Sequence, residues 1–181
     1  MYATVHQFRG SLGELLPGPL GTCALTQVGG LNGAVVAFWP DAAAAAGARQ
    51  PAGTTWLDSG VYEVADVRTT AAEPRFAQLS WFDGPRTADQ AAAERRASTE
   101  RIWPAIRDVE GIGPSYILTA QDRATVIVGF AASIETIEAT QRAIMSTELL
   151  PGEDPALLPG PDRIDLYRVV RADLPETAVA R

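Results

Sequence analysis

Short stretches rich in β-branched and aromatic residues recur along the chain, each bounded by Gly, Pro, Asn or Asp. Such stretches are typical of β-strands. Four of them return in the same order in the second half of the chain, which predicts that one pattern of strands is used twice. The matching segments are YATVHQFRG (2–10) with FAQLSWFDG (76–84), CALTQ (23–27) with YILTA (116–120), GAVVAFWPD (33–41) with TVIVGFAAS (125–133), and VYEV (61–64) with LYRV (166–169).

Helical periodicity follows the third strand in both halves. In the second half SIETIEATQRAIMS (133–146) opens with Ser133, a good N-cap, and carries Ile and Met at helical spacing. In the first half PDAAAAAGAR (40–49) opens with Asp41 before an alanine run, the best intrinsic helix former. Each half is therefore predicted to carry a helix between its third and fourth strands.

The two halves differ between their first and second strands. The second half has the long helical stretch 87–111, in which Pro104 is expected to cause a kink or to start a second helix. The first half has only 11–22, which is too short and too rich in Pro and Gly for a helix. We therefore predict an α+β protein of two tandem ferredoxin-like βαββαβ repeats, 1–73 and 74–181, that form one structural unit, with the first helix of repeat one reduced to a loop.

The tetrapeptide Leu-Leu-Pro-Gly occurs at 15–18, 149–152 and 157–160. Its copies fall between different pairs of predicted elements, so they are not copies of the repeat. Pro followed by Gly favours the central positions of a type II turn. The segment 147–163, which holds the last two copies, is long enough to be a cap over a pocket or a partner contact. A surface loop that packs its own leucines is the alternative.

The strand FAQLSWFDG, the segment VEGIGPSYIL and the run ATVIVGFAASIETIEATQRA resemble the dimeric α+β barrel group, in particular the antibiotic biosynthesis monooxygenase-like superfamily. The resemblance extends over nearly the whole chain as two fused copies and is weakest over 11–22. It implies two antiparallel sheets that face each other as a barrel, here within one chain. It also implies a choice of functions, among them cofactor-free oxygenases of aromatic polyketides and haem-degrading enzymes. Haem binders of this group usually supply a histidine from a helix, and neither second helix contains one, so no bound cofactor is expected.

Composition and charge indicate which partners, compartments and metal sites are not expected. The net charge of −7 would repel a polyanion, so nucleic acid is not an expected partner. No signal peptide opens the chain and no apolar run is long enough to span a bilayer, so neither membrane nor secretion is expected. The single cysteine, Cys23, allows no internal disulfide and no cysteine-based zinc site. These features predict a cytoplasmic protein without a metal site.

Side chains along the first strand of each half point alternately to two opposite faces, and we use this alternation to predict the site residues. One face mixes aromatic and polar side chains, a mixture that suits a ligand cavity, and is therefore predicted to line the barrel interior. The other face is mostly apolar and is predicted to pack against the helices. The predicted ligand-binding residues are Tyr2, Thr4, Phe8, Gln78, Ser80 and Phe82, with Trp103 as a stacking platform.

His6 shares the mixed face and is the only histidine. It is predicted to be the catalytic base, since histidine exchanges a proton near neutral pH; a structural, hydrogen-bonded histidine is the alternative. The resulting hypothesis is a monooxygenase-like barrel that binds or oxidises a small aromatic or polyketide-like molecule without a cofactor. The alternative is a non-catalytic small-molecule-binding or protein-interaction module of the same fold. Either is expected as a monomeric barrel or a homodimer.

Overall fold

A computed structural model describes residues 1–13, 18–50 and 52–175. Strands occupy all eight of the predicted positions. They are β1 (Tyr2–Arg9), β2 (Gly21–Gln27), β3 (Asn32–Trp39), β4 (Thr55–Arg68), β5 (Phe76–Phe82), β6 (Ile112–Thr119), β7 (Thr125–Ala131) and β8 (Arg163–Asp173). The helices are α1 (Ala42–Ala46), α2 (Ala88–Arg96), α3 (Trp103–Ile106) and α4 (Ile134–Met145).

All neighbouring strands are antiparallel, and they close into a barrel in the order β1-β3-β2-β8-β5-β7-β6-β4. Within each half the fourth strand lies beside the first, the first beside the third, and the third beside the second. The two half-sheets join because β4 and β8 are long. β4 pairs with β1 over 55–63 and with β6 over 63–68. β8 likewise pairs with β5 and then with β2. The predicted ferredoxin-like α+β barrel is confirmed.

Side chains from both halves fill the barrel interior. Ala3 and Val5 of β1 and Leu79 and Trp81 of β5 belong to one buried cluster. The cluster contains aromatic rings in contact with each other, with the centroid of Phe38 4.7 Å from that of Tyr116. The cluster also contains Phe130 and Tyr167. An eight-stranded barrel has an interior just wide enough for side chains to fill it, so a packed core occupies the space that the sequence predicts as a cavity.

The predicted orientation of the first strands is therefore wrong. The apolar faces of β1 and β5 point into the barrel, whereas the mixed faces point outward toward the helices. Burial is the physical reason, because closing the barrel removes the most water from its interior, where uniformly apolar side chains gain most. The outward face of each half is also covered, by helices and loops, which is why it is mixed rather than wholly polar. The predicted site residues that lie on the outward faces, instead of lining the barrel interior, are Tyr2, Thr4, His6, Phe8, Gln78, Ser80 and Phe82.

The helices that cover the two halves are unequal. α4 has 12 residues and is capped by Ser133, whose side chain accepts a hydrogen bond from the Thr136 N–H. α1 has only 5 residues; Asp41 caps it and Gly47 ends it. The long helical stretch begins at a capping box formed by Thr87 and Gln90. It runs through a π-helical segment, Ala97–Ile102, into α3, so Pro104 lies in the first turn of a new helical segment, as predicted.

Two of the three predicted type II turns lie within the described residues. At Leu150–Glu153 the Glu153 N–H donates to the Leu150 carbonyl at 3.0 Å, and Gly152 has φ +81°. Gly160 has φ +82°, although Pro161 follows it and cannot donate the closing hydrogen bond. The first copy lies mainly in 14–17, outside the described residues, as does part of the segment predicted to replace the first helix.

The segment after α4 is attached to the α2 side of the molecule. Arg101 Nε lies 2.9 Å from Glu153 Oε2, and Arg96 Nη2 donates to the Pro151 carbonyl at 3.2 Å. At its far end Arg86 Nη2 lies 2.6 Å from Asp162 Oδ2. This segment therefore packs against its own half. Among the described residues, no helix is both long and apolar enough to cross a membrane.

Candidate functional site

The short helix α1 leaves an open cavity beneath it, which we call the α1 cleft. Its volume is about 310 Å³, at the lower end of the range for ligand pockets. It lies between α1 and the outward faces of β1 and β4. Small residues form the wall on the α1 side, and polar groups converge from the strands. The lining residues are Thr4, His6, Ala45, Ala46, Ala48, Gln50, Ser59, Gly60 and Val61.

His6 and Ser59 form a hydrogen-bonded pair at this cleft. The antiparallel register sets His6 of β1 directly opposite Ser59 of β4. His6 Nδ1 lies 2.8 Å from Ser59 Oγ. Gln50 Nε2 contacts both groups: it donates to Ser59 Oγ and lies 3.3 Å from His6 Nδ1. An amide nitrogen is only a donor, so Nδ1 is an acceptor and the Ser59 hydroxyl donates to it.

This arrangement favours one tautomer of His6, and burial favours its neutral form. Because Nδ1 accepts, the ring proton of the neutral imidazole resides on Nε2. Nε2 is buried and has no hydrogen-bond partner within the part of the chain that the structure describes. Burial lowers the pKa of His6 from its usual range, because desolvation disfavours the imidazolium. His6 is thus neutral at pH 7, and its basic nitrogen faces the Ser59 hydroxyl.

The other predicted residues of β1 have structural partners. Trp39 Nε1 donates to Thr4 Oγ1 at 3.1 Å, so the Thr4 hydroxyl is held in place beside the cleft. Phe8 is buried in a small cluster with Val35, and its ring meets the Trp56 ring edge to face. Tyr2 lies on the same face of β1 but does not line the cleft. Only Thr4 and His6 of the eight predicted site residues line this cavity.

The corresponding face of the second half is closed. There Gln141 of α4 donates to Gln78 Oε1 at 3.0 Å, and Gln78 Nε2 donates to Ser80 Oγ at 3.0 Å. Phe82 lies under the Arg86 guanidinium, and Trp103 stacks with Arg68 at 5.0 Å. β1 and β5 lie on opposite sides of the barrel. The predicted residues of the two halves therefore do not share one cavity.

The His6–Ser59 pair has no counterpart in the described part of the second half, 74–175. Its register equivalent there is Ser80 of β5, which lies opposite Ile164 of β8. The second half forms the same fold with Ser80 and Ile164 at that position, and therefore without a basic side chain there. We conclude that the barrel does not require the pair for its architecture.

Gln50 and Ser59 were not predicted from the sequence. Ser59 lies in Asp-Ser-Gly (58–60), a sequence typical of a turn, so the predicted strand began only at Val61. In the structure β4 begins at Thr55 and accommodates a bulge opposite Gln7 and Phe8. The register of β4 with β1, which sets Ser59 opposite His6, cannot be read from either strand alone.

Comparison with known proteins identifies the class of fold. The sequence matches no protein-family model and no curated protein. A solved structure from Fusobacterium nucleatum, provisionally named a monooxygenase, superposes with a TM-score of 0.63 at 10% identity, covering 96% of this chain and 94% of that one. An uncharacterised ferredoxin-fold protein from Listeria monocytogenes, related to antibiotic biosynthesis monooxygenases, gives 0.53 at 9% identity, covering 93% and 95%.

A third solved structure, an anthrone oxidase-like protein, gives a TM-score of 0.56 at 10% identity and covers 99% of this chain and 96% of that one. At such low identity these matches establish the fold. The chain has the ferredoxin-like barrel fold of the antibiotic biosynthesis monooxygenase-like proteins, as the sequence resemblance predicts.

Proposed function

We propose that this protein binds a small aromatic molecule in the α1 cleft and removes a proton from it, as the first step of a cofactor-independent oxidation. The observation that carries the proposal is the hydrogen bond between Ser59 and a neutral His6 at the edge of an open cavity. A neutral imidazole is a suitable general base at pH 7.

The proton reaches His6 through Ser59. His6 Nε2 is buried and Nδ1 is covered by the Ser59 hydroxyl, so a ligand in the cleft meets Ser59 first. Ser59 is exposed. It passes its own proton to Nδ1 while its oxygen takes the proton of the ligand. Gln50, which donates to Ser59 Oγ, stabilises the partial negative charge that develops on this oxygen.

The walls of the cleft favour an apolar, planar ligand. Ala45, Ala46, Ala48 and Val61 offer apolar surface without bulk, while Thr4 and Gln50 provide polar groups for ligand oxygens. Similarity of fold to an anthrone oxidase-like protein supports an aromatic ligand with an acidic C–H or O–H group. After deprotonation of a CH₂ group, the carbanion reacts with dioxygen, the carbon becomes a carbonyl, and the second oxygen atom leaves as water.

Oxygen consumption tests this proposal. The protein is mixed with anthrone and related hydroxylated aromatics, with and without oxygen, and both oxygen uptake and the product are measured. We expect His6→Gln and Ser59→Ala to lower turnover by roughly 10²-fold or more, the usual contribution of a general base. Ser80→Ala, at the equivalent position of the second half, is the matched control and should retain turnover. Turnover that survives both His6→Gln and Ser59→Ala would falsify the proposed roles.

A non-catalytic binding module is the second candidate. It is favoured by one observation: His6 is the only ionisable side chain that lines the α1 cleft in the described residues. Equilibrium dialysis with the same aromatics separates the two functions. Binding that Val61→Trp abolishes, without oxygen uptake by the wild-type protein, supports the binding module.

We further infer a cytoplasmic monomer that arose by internal duplication of a unit ending near residue 73. The shared strand order of the halves supports the duplication. Closure of the barrel by β2–β8 and β4–β6 pairing within one chain supports the monomer, since no second chain is needed to complete the sheet. Light scattering tests the oligomeric state: a mass near 38 kDa, twice the 19.2 kDa of one chain, contradicts the monomer.

A further inference from the structure

A second cavity lies at one end of the barrel interior, away from the α1 cleft. Its volume is about 210 Å³. Gln7 reaches it from β1, and because neighbouring residues of a strand point to opposite faces, the adjacent His6 belongs to the other site. We call this cavity the barrel mouth. Besides Leu57, the residues that line it are polar: Gln7, Gln27, Asn32, Arg163, Asp165 and Tyr167.

The charged groups of the barrel mouth are already paired. Arg163 Nε lies 3.1 Å from Asp165 Oδ2 and its guanidinium stacks on Trp81 at 4.5 Å. Trp81 Nε1 donates to the same carboxylate oxygen at 2.9 Å. Burial raises the pKa of Tyr167 to about 12, so its hydroxyl remains neutral. The cavity thus carries one positive and one negative group in contact, which gives no net attraction for a charged ligand.

The amide groups, by contrast, are available. Gln27 and Asn32 are half-buried, and their side chains form no hydrogen bond within the ranges that the structure describes. Gln7 accepts from Arg163 Nη2 at 3.3 Å, and its own amide nitrogen is 3.5 Å from the Tyr167 hydroxyl, which leaves that donor weakly used. Each amide offers a donor and an acceptor side by side. Hydroxyl groups, which both donate and accept, complement such a set.

We propose that the barrel mouth binds a small, uncharged polyhydroxyl compound, with Gln27 and Asn32 as its principal hydrogen-bonding residues. The packed core below Tyr167 and Trp81 forms the floor of the site and limits the ligand to a compact molecule. The site is independent of the α1 cleft, because it lies inside the barrel whereas the cleft lies outside it.

Saturation-transfer NMR with myo-inositol and D-glucose as probes tests this site in the 181-residue chain. We expect signal transfer to at least one probe, and binding weakened roughly tenfold or more in Gln27→Leu/Asn32→Leu, because two hydrogen-bonding groups are lost. Gln27→Glu/Asn32→Asp keeps the size of both side chains while removing their donors, and should also weaken binding. Ser59→Ala, in the α1 cleft, should leave binding unchanged.

Three outcomes overturn the proposal. One is the absence of transfer to both probes. Another is binding that persists in both double variants while their thermal unfolding matches that of the wild type. The last is a loss of binding in Ser59→Ala, which would assign the probes to the α1 cleft. Acetate serves as the charged probe: if it binds and the polyols do not, the site recognises anions through Arg163.

Discussion

The Phe38 ring lies 4.7 Å from the Tyr116 ring and joins β3 of the first half to β6 of the second. Both side chains are almost completely buried, at 0% and 2% exposure. Tyr116 in turn meets Phe130 edge to face. One aromatic cluster therefore spans both halves, and we infer that the two half-sheets unfold together.

The first prediction concerns this cluster. Phe38→Ala should lower the free energy of unfolding by about 3–5 kcal/mol, because it removes a buried ring and leaves a cavity between the halves. Urea unfolding followed by fluorescence and by circular dichroism measures the loss and should show a single transition with both probes. Leu31→Ala, at a turn residue that is 80% exposed, is the control and should change little. Two separate transitions would contradict the joint unfolding of the halves.

The sequence predicted the strands and their order well, because both depend on local patterns. β5, for example, is bounded by polar residues and a glycine. Within it the apolar Leu79 is followed by the polar Ser80, so the two faces of the strand differ in polarity. Alternation defines two faces, but it does not say which of them is interior. In a barrel covered by helices both faces are partly buried, so alternation alone does not show that the mixed face of β1 points away from the barrel interior.

The site was less accessible to prediction for a different reason. His6 was identified because it is the only histidine, but its partners come from other parts of the chain. Ser59 is 53 residues away and Gln50 is 44 residues away. Their meeting depends on the register of β1 with β4 and on the bulge within β4, and tertiary pairing determines both.

The second prediction is the titration of His6. Burial lowers its pKa below the ordinary value of about 6.5. As the only histidine, it gives a single set of imidazole signals in an NMR titration, which should have a midpoint below that value. Ser59→Ala should raise the pKa, since the Ser59 hydroxyl donates to the neutral form of the ring. An unchanged or lower pKa in this variant contradicts the proposed direction of the hydrogen bond.

The same shift predicts a pH dependence of stability. As the pH falls below about 6.5, the unfolded chain binds a proton at His6 before the folded chain does. The free energy of unfolding should therefore decrease from about pH 6.5 down to the pKa of folded His6, and this contribution should level off below it. Urea unfolding of the wild type and of His6→Gln at pH 7.5 and 5.5 isolates the effect. If acidification lowers the free energy of unfolding equally in the two proteins, the pKa of folded His6 is not depressed.

The fourth prediction concerns close packing in β3. A Cβ atom added at Gly33 would clash with the Phe8 ring and with the Leu25 carbonyl oxygen. Gly33→Ala should therefore destabilise the protein by about 1–3 kcal/mol, the usual cost of overpacking. Gly129 in β7 is the matched control, because a Cβ there meets no atom within 4 Å. Thermal unfolding of both variants provides the comparison, and equal melting temperatures would contradict the expected clash.

The last prediction concerns the ion pair that holds the segment after α4. The side chain of Glu153 is 2% exposed, and its Oε2 accepts from Arg101 Nε at 2.9 Å and from the Leu150 N–H at 2.8 Å. Arg101 also donates to Thr147. Arg101→Met leaves a buried carboxylate without its counter-ion, so we expect a loss of about 3–5 kcal/mol and faster proteolysis within 147–162. Arg101→Met/Glu153→Met should recover much of this loss, because it removes the unpaired charge as well. The exposed Arg95 of α2 supplies the control: if Arg95→Met is as destabilising as Arg101→Met, the ion pair does not hold the segment in place.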